Sequence, residues 1–321
     1  MIKKVAVLTS GGDAPGMNAC VRSVVRAGIK NGLEMYVVHE GYKGLVEGNI
    51  EQVDRNYVSD IINRGGTILG SARLKEFREE RIQKIAVAQL NRLGIEGLIV
   101  IGGDGTYRGA SDLSKLGVKT VGVPATIDND IASTDYSIGF DTCLNTICSC
   151  VDKIRDTTTS HKRCTLIEVM GNKCGDLAVY SGIAEGVEMV VSPDHPYTVD
   201  QICAKLLGLR NGKKQHALVI VSEKMFDDIH ALAKEIEEST GIITRAQVLG
   251  YIQRGGSPSA RDRVEASRFG MSAIHAILDG ETDICLGLKN GKVYRYNIQE
   301  AVNMPRKSNE KLIDVISTIN R

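Results

Sequence analysis

Short apolar segments alternate with longer amphipathic segments along most of this chain, and that alternation limits the folds available to it. The short segments Val5–Leu8 and Leu98–Ile101 are rich in β-branched residues and apolar at every position. Such segments are typical of strands that other elements cover on both faces. Strands that alternate with helices form βαβ units and parallel sheets. We therefore predict an α/β fold with mainly parallel sheets.

The predicted elements follow from the positions of these segments. Strands are predicted at Val5–Leu8, Leu98–Ile101, Val121–Val123, Leu166–Val169 and Leu218–Val221. Helices are predicted at Asn18–Asn31, Arg78–Leu93, Leu144–Asp156, Ile229–Glu238 and Arg261–Leu278, and one more begins near Tyr107. Asn18 is predicted to cap the first helix, because asparagine is favoured at N-caps.

The composition argues against several classes of protein. The chain has 321 residues, 42% of them hydrophobic, which suits one large domain or two modest ones. Its net charge of +1 lacks the basic excess of nucleic-acid-binding proteins. No apolar run is long enough to span a bilayer, and the N-terminal apolar segment ends by Leu8, too early for a signal-peptide core. We expect a cytoplasmic protein that binds neither nucleic acid nor a membrane.

The cysteines point to the same compartment. Eight are scattered along the chain, and none forms a CxxC pair of the kind that holds structural zinc. Reduced thiols of a cytosolic protein are the simplest interpretation.

Two glycine-rich loops follow predicted strands, at the strand ends where open α/β sheets bind ligands. In the loop Thr9–Asn18, glycines would let a phosphate approach the backbone, and the next helix would offer free N–H groups. In the loop Gly102–Thr106, Asp104 adds a carboxylate suited to magnesium. The alternatives are a tight turn without ligand and an aspartate that only caps a helix. Neither loop is a Walker A or GxGxxG motif, so neither of those folds is indicated.

A third loop, Pro124–Asp130, places Asp128 and Asp130 two residues apart. Phosphoryl transfer needs a carboxylate to accept the hydroxyl proton and cations to offset the developing charge. The pair could supply the base and a metal-binding or orienting contact, or could belong to a turn held by Asx side chains. Because three such loops occur together, we favour a phosphoryl-transfer site.

Six blocks of sequence resemble the 6-phosphofructokinases, specifically the ATP-dependent bacterial type. They are Leu8–Asn18, Ile62–Thr67, Gly70–Arg73, Ile101–Thr106, Thr126–Asp130 and Gln253–Pro258, in family order. The resemblance extends from Ile2 to about Gly287. It implies a magnesium-dependent kinase of glycolysis that transfers a phosphoryl group from ATP to the 1-hydroxyl of fructose 6-phosphate, giving fructose 1,6-bisphosphate and ADP.

The resemblance also implies a role for each matching residue. ATP would be held by Gly12, Arg73, Leu74, Gly103, Asp104, Gly105 and Thr106, with Asp104 as the magnesium ligand. Asp128 would accept the proton. The sugar phosphate would be surrounded by Thr126, Ile127, Asp128, Arg163, Met170, Gly171, Asn172, Glu223, Arg245, Tyr251 and Arg254. Arg163 and Arg245 would reach the 6-phosphate from a neighbouring subunit, because active sites of the family are shared across the interface of a homotetramer.

An effector site between subunits is implied as well, for ADP-like activators or phosphoenolpyruvate. The matching residues are Arg22, Arg26, Arg55, Asp60, Arg155, Glu188 and Lys214. Taken singly, these are also typical surface charges. Gln215 interrupts the Lys-Lys-His run of the family, which leaves the register of this part of the effector site open.

The architecture implied by the resemblance is two Rossmann-like, three-layer α/β/α domains with mainly parallel sheets. The larger, ATP-binding domain would comprise residues 1–138 and about 252–302. The smaller, sugar-phosphate-binding domain would comprise residues 139–251 and about 303–321. The active site is expected in the cleft between them.

Three residues near the implied active site depart from the family pattern. Ala125 replaces glycine, Asn172 replaces arginine and Tyr251 replaces histidine. The second change removes a charge, and a tyrosine can donate a hydrogen bond but cannot become cationic. Because Asp104 and Asp128 remain, we expect an active enzyme with altered handling of the sugar phosphate.

Two alternatives remain open. Pyrophosphate-dependent relatives carry aspartate at the position of Gly105 and lysine at that of Ala125, where this chain has two small residues. The second alternative is a weakly active paralogue that binds nucleotide or sugar phosphate and regulates a partner.

Overall fold

The computed structural model of the protein describes residues 2–212, 214–306 and 308–319. The chain divides into two compact units. The first contains Met1–Ile127, Ile131–Thr142 and Arg254–Arg306, and the second contains Asp128–Asp130, Cys143–Gln253 and Lys307–Arg321. The predicted boundary near residue 138 assigns the Asp128–Asp130 segment to the larger domain, whereas these residues fall in the second unit, where the side chains of Asn129 and Asp130 form hydrogen bonds.

The described residues form eleven strands. They are β1 Lys4–Thr9, β2 Glu34–Val38, β3 Ile50–Val53, β4 Gly97–Gly102, β5 Lys119–Pro124, β6 Cys164–Val169, β7 Met189–Val191, β8 Ala217–Ser222, β9 Thr244–Val248, β10 Ile284–Lys289 and β11 Lys292–Asn297.

The α-helices of the same residues are α1 Met17–Lys30, α2 Gly41–Glu47, α3 Glu80–Leu93, α4 Asp104–Lys115, α5 Phe140–Ser160, α6 Asp176–Ala184, α7 Val199–Asn211, α8 Ile229–Thr240, α9 Ala260–Leu278, α10 Ile298–Ala301 and α11 Glu310–Ile319. Two 3₁₀ helices cover Lys75–Arg78 and Gly250–Arg254. Among these helices, none is both long enough and apolar enough to cross a membrane.

The first unit is built on a seven-stranded sheet with the order β11-β10-β5-β4-β1-β2-β3. The inner pairs are parallel, and only the edge strands β3 and β11 pair antiparallel with their neighbours. Inward-facing residues of β1, β2 and β4 pack with α3 and α4 in one apolar cluster that includes Leu8, Val38, Leu90, Val100 and Leu113. The second unit has a fully parallel sheet with the order β7-β8-β6-β9 and its own apolar cluster. The predicted α/β fold with mainly parallel sheets is confirmed.

The predicted N-cap at Asn18 is wrong. Helix α1 begins at Met17, and its N-cap is Gly16, whose φ of 105° lies in the left-handed region. A Cβ atom at Gly16 would lie 2.6 Å from Cγ2 of Ile138, so the position also requires glycine for space. Asn18 is instead fully buried, and its side chain donates to the carbonyls of Arg64 and Gly65. It therefore secures the loop at residues 64–68 and leaves the helix end uncapped by a side chain.

A buried carboxylate organises the start of α5 within the first unit. Asp262, near the start of α9, accepts hydrogen bonds from the Tyr136 hydroxyl at 2.5 Å, the Gly139 N–H at 2.7 Å and the Thr142 N–H at 2.9 Å. It also accepts one from the Thr142 hydroxyl. Burial raises the pKa of Asp262, while the hydrogen bonds to Thr142, Tyr136 and Gly139 act against that rise. The carboxylate thus depends on these donors to remain charged inside the protein.

Candidate active site

Three segments of the first unit are tied together beyond the carboxyl ends of β1 and β4. The two strands are parallel neighbours, so the loops that follow them leave the same edge of the sheet. The Thr106 hydroxyl donates to the Ser10 carbonyl at 3.2 Å, and the Ser71 hydroxyl donates to the Gly11 carbonyl at 2.5 Å. The segments predicted to hold ATP are therefore neighbours in the structure, although 60 to 96 residues separate these bonded pairs in sequence.

The second glycine-rich loop has open space where a phosphate would lie. Asp104 is the first residue of α4, so it lies at the end of the helix where the backbone N–H groups of the first turn point outward. A Cβ atom built on Gly103 or on Gly105 would meet no protein atom within 4 Å. A helix N-terminus with unobstructed N–H groups attracts anions, and the nearby carboxylate suits a divalent cation that accompanies them.

An aromatic pair that the sequence analysis missed supports this loop. Tyr42 donates its hydroxyl to the Thr106 carbonyl at 2.5 Å and stacks on Phe77 with ring centroids 4.2 Å apart. A Cβ atom at Gly109 would lie 2.7 Å from Cε2 of Tyr42, so α4 and the ring fit closely. Tyr42 and Phe77 belong to the apolar cluster of the first unit, and Leu74, just before the 3₁₀ helix that contains Phe77, packs against that cluster. Arg73 is exposed beside it.

The guanidinium of Arg254 lies directly on the first glycine-rich loop. Its Nη1 donates to the Asp13 carbonyl at 3.3 Å. A Cβ atom at Gly12 would lie 2.3 Å from that nitrogen, closer than any real contact, so Gly12 leaves the space that Arg254 fills. A residue predicted for the sugar phosphate is thereby placed against a residue predicted for ATP within one unit.

In the second unit, Asp128 and Asp130 flank an asparagine that is anchored by its side chain. Asn129 has a left-handed backbone with φ of 51°, and its Nδ2 donates to the buried carboxylate of Asp176 at 2.9 Å. Asp128 itself is buried, at 9% exposure. The preceding residues Thr126 and Ile127 belong to the first unit, where the Thr126 carbonyl accepts a hydrogen bond from Ser137 at 2.6 Å and Ile127 is buried.

Asn172 is surrounded by charged groups, one of which is a lysine that the sequence analysis missed. Its backbone N–H donates to Glu223 at 2.7 Å, and its Nδ2 donates to Asp130 at 3.2 Å. The ammonium of Lys224 donates to its Oδ1 at 2.7 Å. Asn172 and Lys224 both adopt left-handed backbones, with φ of 57° and 67°. The position where the family has arginine therefore still has a cation beside it, supplied by Lys224.

The residues just before Asn172 form a turn that requires glycine. Gly171 has φ of 141°, and a Cβ atom there would lie 2.5 Å from the Cys174 carbonyl. The Met170 N–H donates to the side chain of buried Gln253 at 3.1 Å. Two residues before Gln253 in sequence, Tyr251 is 85% exposed. The second unit thus brings Asp130, Met170–Asn172 and Glu223 close together by direct and shared hydrogen bonds.

The structure separates two predicted arginines from this group. Arg163 precedes β6, whereas Met170 follows it, and the six residues of β6 span about 20 Å. Arg245 is aligned with Thr165, also near the amino end of the sheet. Arg245 bonds Glu237 at 2.7 Å and lies in a groove with His230 and Lys234. Neither arginine can join the Met170–Asn172 group of the same unit, because that distance exceeds an arginine side chain.

The predicted effector residues fall into separate groups. In the first unit, burial lowers the pKa of Arg22, the charges of Arg26 and Arg55 lower it further, and Asp60 raises it, which indicates that these four charges lie near one another. In the second unit, the ammonium of Lys214 bonds the carboxylate of Glu188, which is buried.

Two further contacts of the predicted effector residues lie in the second unit. Glu188 also accepts from the Leu218 N–H at 2.6 Å, and Arg155 bonds Glu185. Lys213, in the run that Gln215 interrupts, lies outside the described residues. Within the described part of that run, Lys214 is thus the residue that forms an ion pair with Glu188.

The fold and these loops define a class: α/β enzymes that handle phosphorylated ligands at the carboxyl ends of parallel strands. A sequence model of the family described as Phosphofructokinase matches residues 4–277. The chain is 50% identical over 320 residues to the protein of Clostridium perfringens named ATP-dependent 6-phosphofructokinase 1, covering 100% of both. It is 50% identical over 317 residues to the ATP-dependent 6-phosphofructokinase of Tolumonas auensis, covering 98% of both.

A solved structure of a phosphofructokinase also matches this fold. The structure of phosphofructokinase from Saccharomyces cerevisiae is similar with a TM-score of 0.86 and 33% identity, over 99% of this chain and 47% of the yeast chain. The chain belongs to the phosphofructokinase family.

Proposed function

We propose that this protein transfers the γ-phosphoryl group of ATP to the 1-hydroxyl of fructose 6-phosphate, giving fructose 1,6-bisphosphate and ADP, as a phosphotransferase of glycolysis. The end-to-end identity of 50% with a protein named ATP-dependent 6-phosphofructokinase 1 carries this conclusion. We also propose a cytoplasmic location, with which the eight cysteines agree, because all lie within the described residues and none pairs in a disulfide.

The nucleotide is assigned to the tied loops of the first unit: Gly12, Arg73, Leu74, Gly103, Asp104, Gly105 and Thr106. The residues present fit a magnesium ion that accompanies the nucleotide. Magnesium takes one or two carboxylates and fills its remaining positions with water and phosphate oxygens, and Asp104 provides the carboxylate beside open space. The ion would neutralise charge on the phosphates.

The sugar phosphate is assigned to Asp128 and to the group of the second unit that includes Met170, Gly171, Asn172 and Glu223. Asp128 accepts the proton of the attacking hydroxyl, since a buried carboxylate is a suitable general base. Lys224 provides charge near a bound phosphate. Arg254, on the glycine-rich loop, is assigned to the phosphate ester, for which its planar fork is suited.

We infer that Arg163 and Arg245 act in a neighbouring subunit. Both lie at the opposite end of their sheet from Met170–Asn172, and Arg245 lines a groove whose other charged or titratable side chains are His230, Lys234, Glu237 and Glu238. A homotetramer that shares its active sites would bring these cations to the 6-phosphate. The groups Arg22–Arg26–Arg55–Asp60 and Glu188–Lys214 are assigned to an effector site for ADP-like activators or phosphoenolpyruvate.

The deciding assay couples fructose 1,6-bisphosphate formation to NADH oxidation and compares ATP with pyrophosphate as phosphoryl donor, with and without magnesium. We expect turnover with ATP and magnesium to exceed turnover with pyrophosphate, because Gly105 and Ala125 leave room for the nucleotide. Equal or faster turnover with pyrophosphate would make the protein a pyrophosphate-dependent phosphofructokinase. Absence of turnover with both donors, in a protein that binds ATP by calorimetry, would favour the regulatory paralogue.

A further inference from the structure

A chain of three buried polar side chains connects the C-terminal segment to the loop that carries the assigned base. Asp176, at the start of α6, is 9% exposed. One of its carboxylate oxygens accepts from Nδ2 of Asn129 at 2.9 Å, and the other accepts from Nδ2 of Asn309 at 2.8 Å. Both carboxylate oxygens have a donor, so the carboxylate is held in one orientation.

On one side of this carboxylate, Asn129 stands between the two acids of the assigned site. Its left-handed backbone is a conformation that asparagine adopts more readily than most residues, though still at a cost. The backbone carbonyl of Asn129 also accepts a long hydrogen bond from the thiol of Cys174 at 3.8 Å. The orientation of Asp128 and Asp130 therefore depends on how firmly the side chain of Asn129 is held by Asp176.

On the other side, Asn309 comes from a remote part of the sequence. It is 133 residues from Asp176, precedes α11, and is buried at 7% exposure. Its Nδ2 also donates to Asp194 at 3.0 Å, while its carbonyl accepts from the N–H groups of Leu312 and Ile313. Its Nδ2 thus bonds two carboxylates, and the helix that follows it, α11, packs against α6.

We propose that Asn309 is a positioning residue for catalysis: it fixes the carboxylate of Asp176, which fixes Asn129 and thereby the base Asp128. This inference rests on the proposed function for the identity of the base, and the hydrogen-bonded chain stands independently of it. Losing Asn309 removes the donor to one carboxylate oxygen of Asp176 and so weakens the hold on its orientation. Because small misplacements of reacting groups cost large factors in rate, we expect the effect in kcat rather than in substrate affinity.

The test compares Asn309→Ala with Asn303→Ala, a matched control at an exposed asparagine whose side chain donates to the Gln299 carbonyl. We expect kcat with ATP and fructose 6-phosphate to fall about tenfold or more for Asn309→Ala, with KM changed less than about threefold, and to stay unchanged for the control. If Asn309→Ala does not fold, Asn309→Ser, which keeps one donor, is measured in its place.

Two further measurements separate positioning from a general structural role. Hydrogen exchange should become faster in the peptide covering residues 126–131 for Asn309→Ala and not for the control. In addition, Asn309→Ala should lower kcat no further in a variant that already carries Asp176→Ala. Multiplying losses in the double variant, unchanged exchange at 126–131, or a kcat loss equal to that of the control would each overturn the proposal. A wild-type protein inactive with fructose 6-phosphate would sink the proposed function alone, since the exchange comparison still decides the connection.

Discussion

Replacing Gly12 with alanine should impair the enzyme while leaving its fold intact. The new Cβ atom would lie 2.3 Å from Nη1 of Arg254 and 3.1 Å from its Cζ. Ordinary contact needs about 3.4 Å or more, so the guanidinium must move by about 1 Å. Nη1 is at the far end of the flexible Arg254 side chain, and the backbone at Gly12 is not left-handed. We therefore expect the free energy of unfolding to change by less than about 1 kcal/mol.

The functional loss should be much larger than the loss of stability. The shift breaks the hydrogen bond from Arg254 to the Asp13 carbonyl and moves a cation assigned to the sugar phosphate. A bond to a charged group contributes about 1.5–3 kcal/mol, which corresponds to about 10- to 150-fold in kcat/KM for fructose 6-phosphate. Initial rates at saturating ATP, with fructose 6-phosphate varied, give this number.

A double-variant comparison tests the reasoning. If the loss arises from the collision with Arg254, Gly12→Ala should cost little more in a protein that already carries Arg254→Ala, because the obstructing side chain is gone. Gly105→Ala serves as the control, since a Cβ atom there meets no protein atom within 4 Å and should change only the KM for ATP. Full loss from Gly12→Ala in the absence of Arg254 would refute the reasoning and place the effect on the nucleotide.

Three further predictions concern single side chains. Asp128→Asn should lower kcat by about 10²–10⁴-fold with little change in KM, as expected for a general base, and near-normal kcat would place the base elsewhere. Lys224→Ala should raise the half-saturation concentration of fructose 6-phosphate about tenfold, and Asn172→Arg in the same chain should restore it, whereas an unchanged value would show that Lys224 contributes no charge to the site. Asp262→Ala should lower the free energy of unfolding by about 3–5 kcal/mol in urea titration, because its buried donors lose their acceptor; a loss under about 1 kcal/mol would contradict the role given to this carboxylate.

Among the described residues, the sequence analysis did not predict six strands, β2, β3, β7, β9, β10 and β11, and three of these show where periodicity is a weak guide. The edge strands β3, β9 and β11 mix buried, partly buried and exposed positions without regular alternation, and they contain several polar residues. They are strands because a neighbour completes their hydrogen bonds, as β10 does for β11. Local sequence carries little sign of such a neighbour, whereas strands buried in the sheet interior, such as β4, are apolar throughout.

The sequence by itself determined the fold class and the loops at the strand ends, because both depend on local chemistry. Apolar β-branched runs form buried strands. Glycines next to a strand end leave space for a phosphate whatever the rest of the chain does. Only the tertiary structure decided which distant side chains complete the site. Arg254 meets Asp13 across 241 residues, and Asn309 meets Asp176 across 133. It also decided that Arg163 lies at the far end of β6 from Met170, because the length of a strand separates residues that are close in sequence.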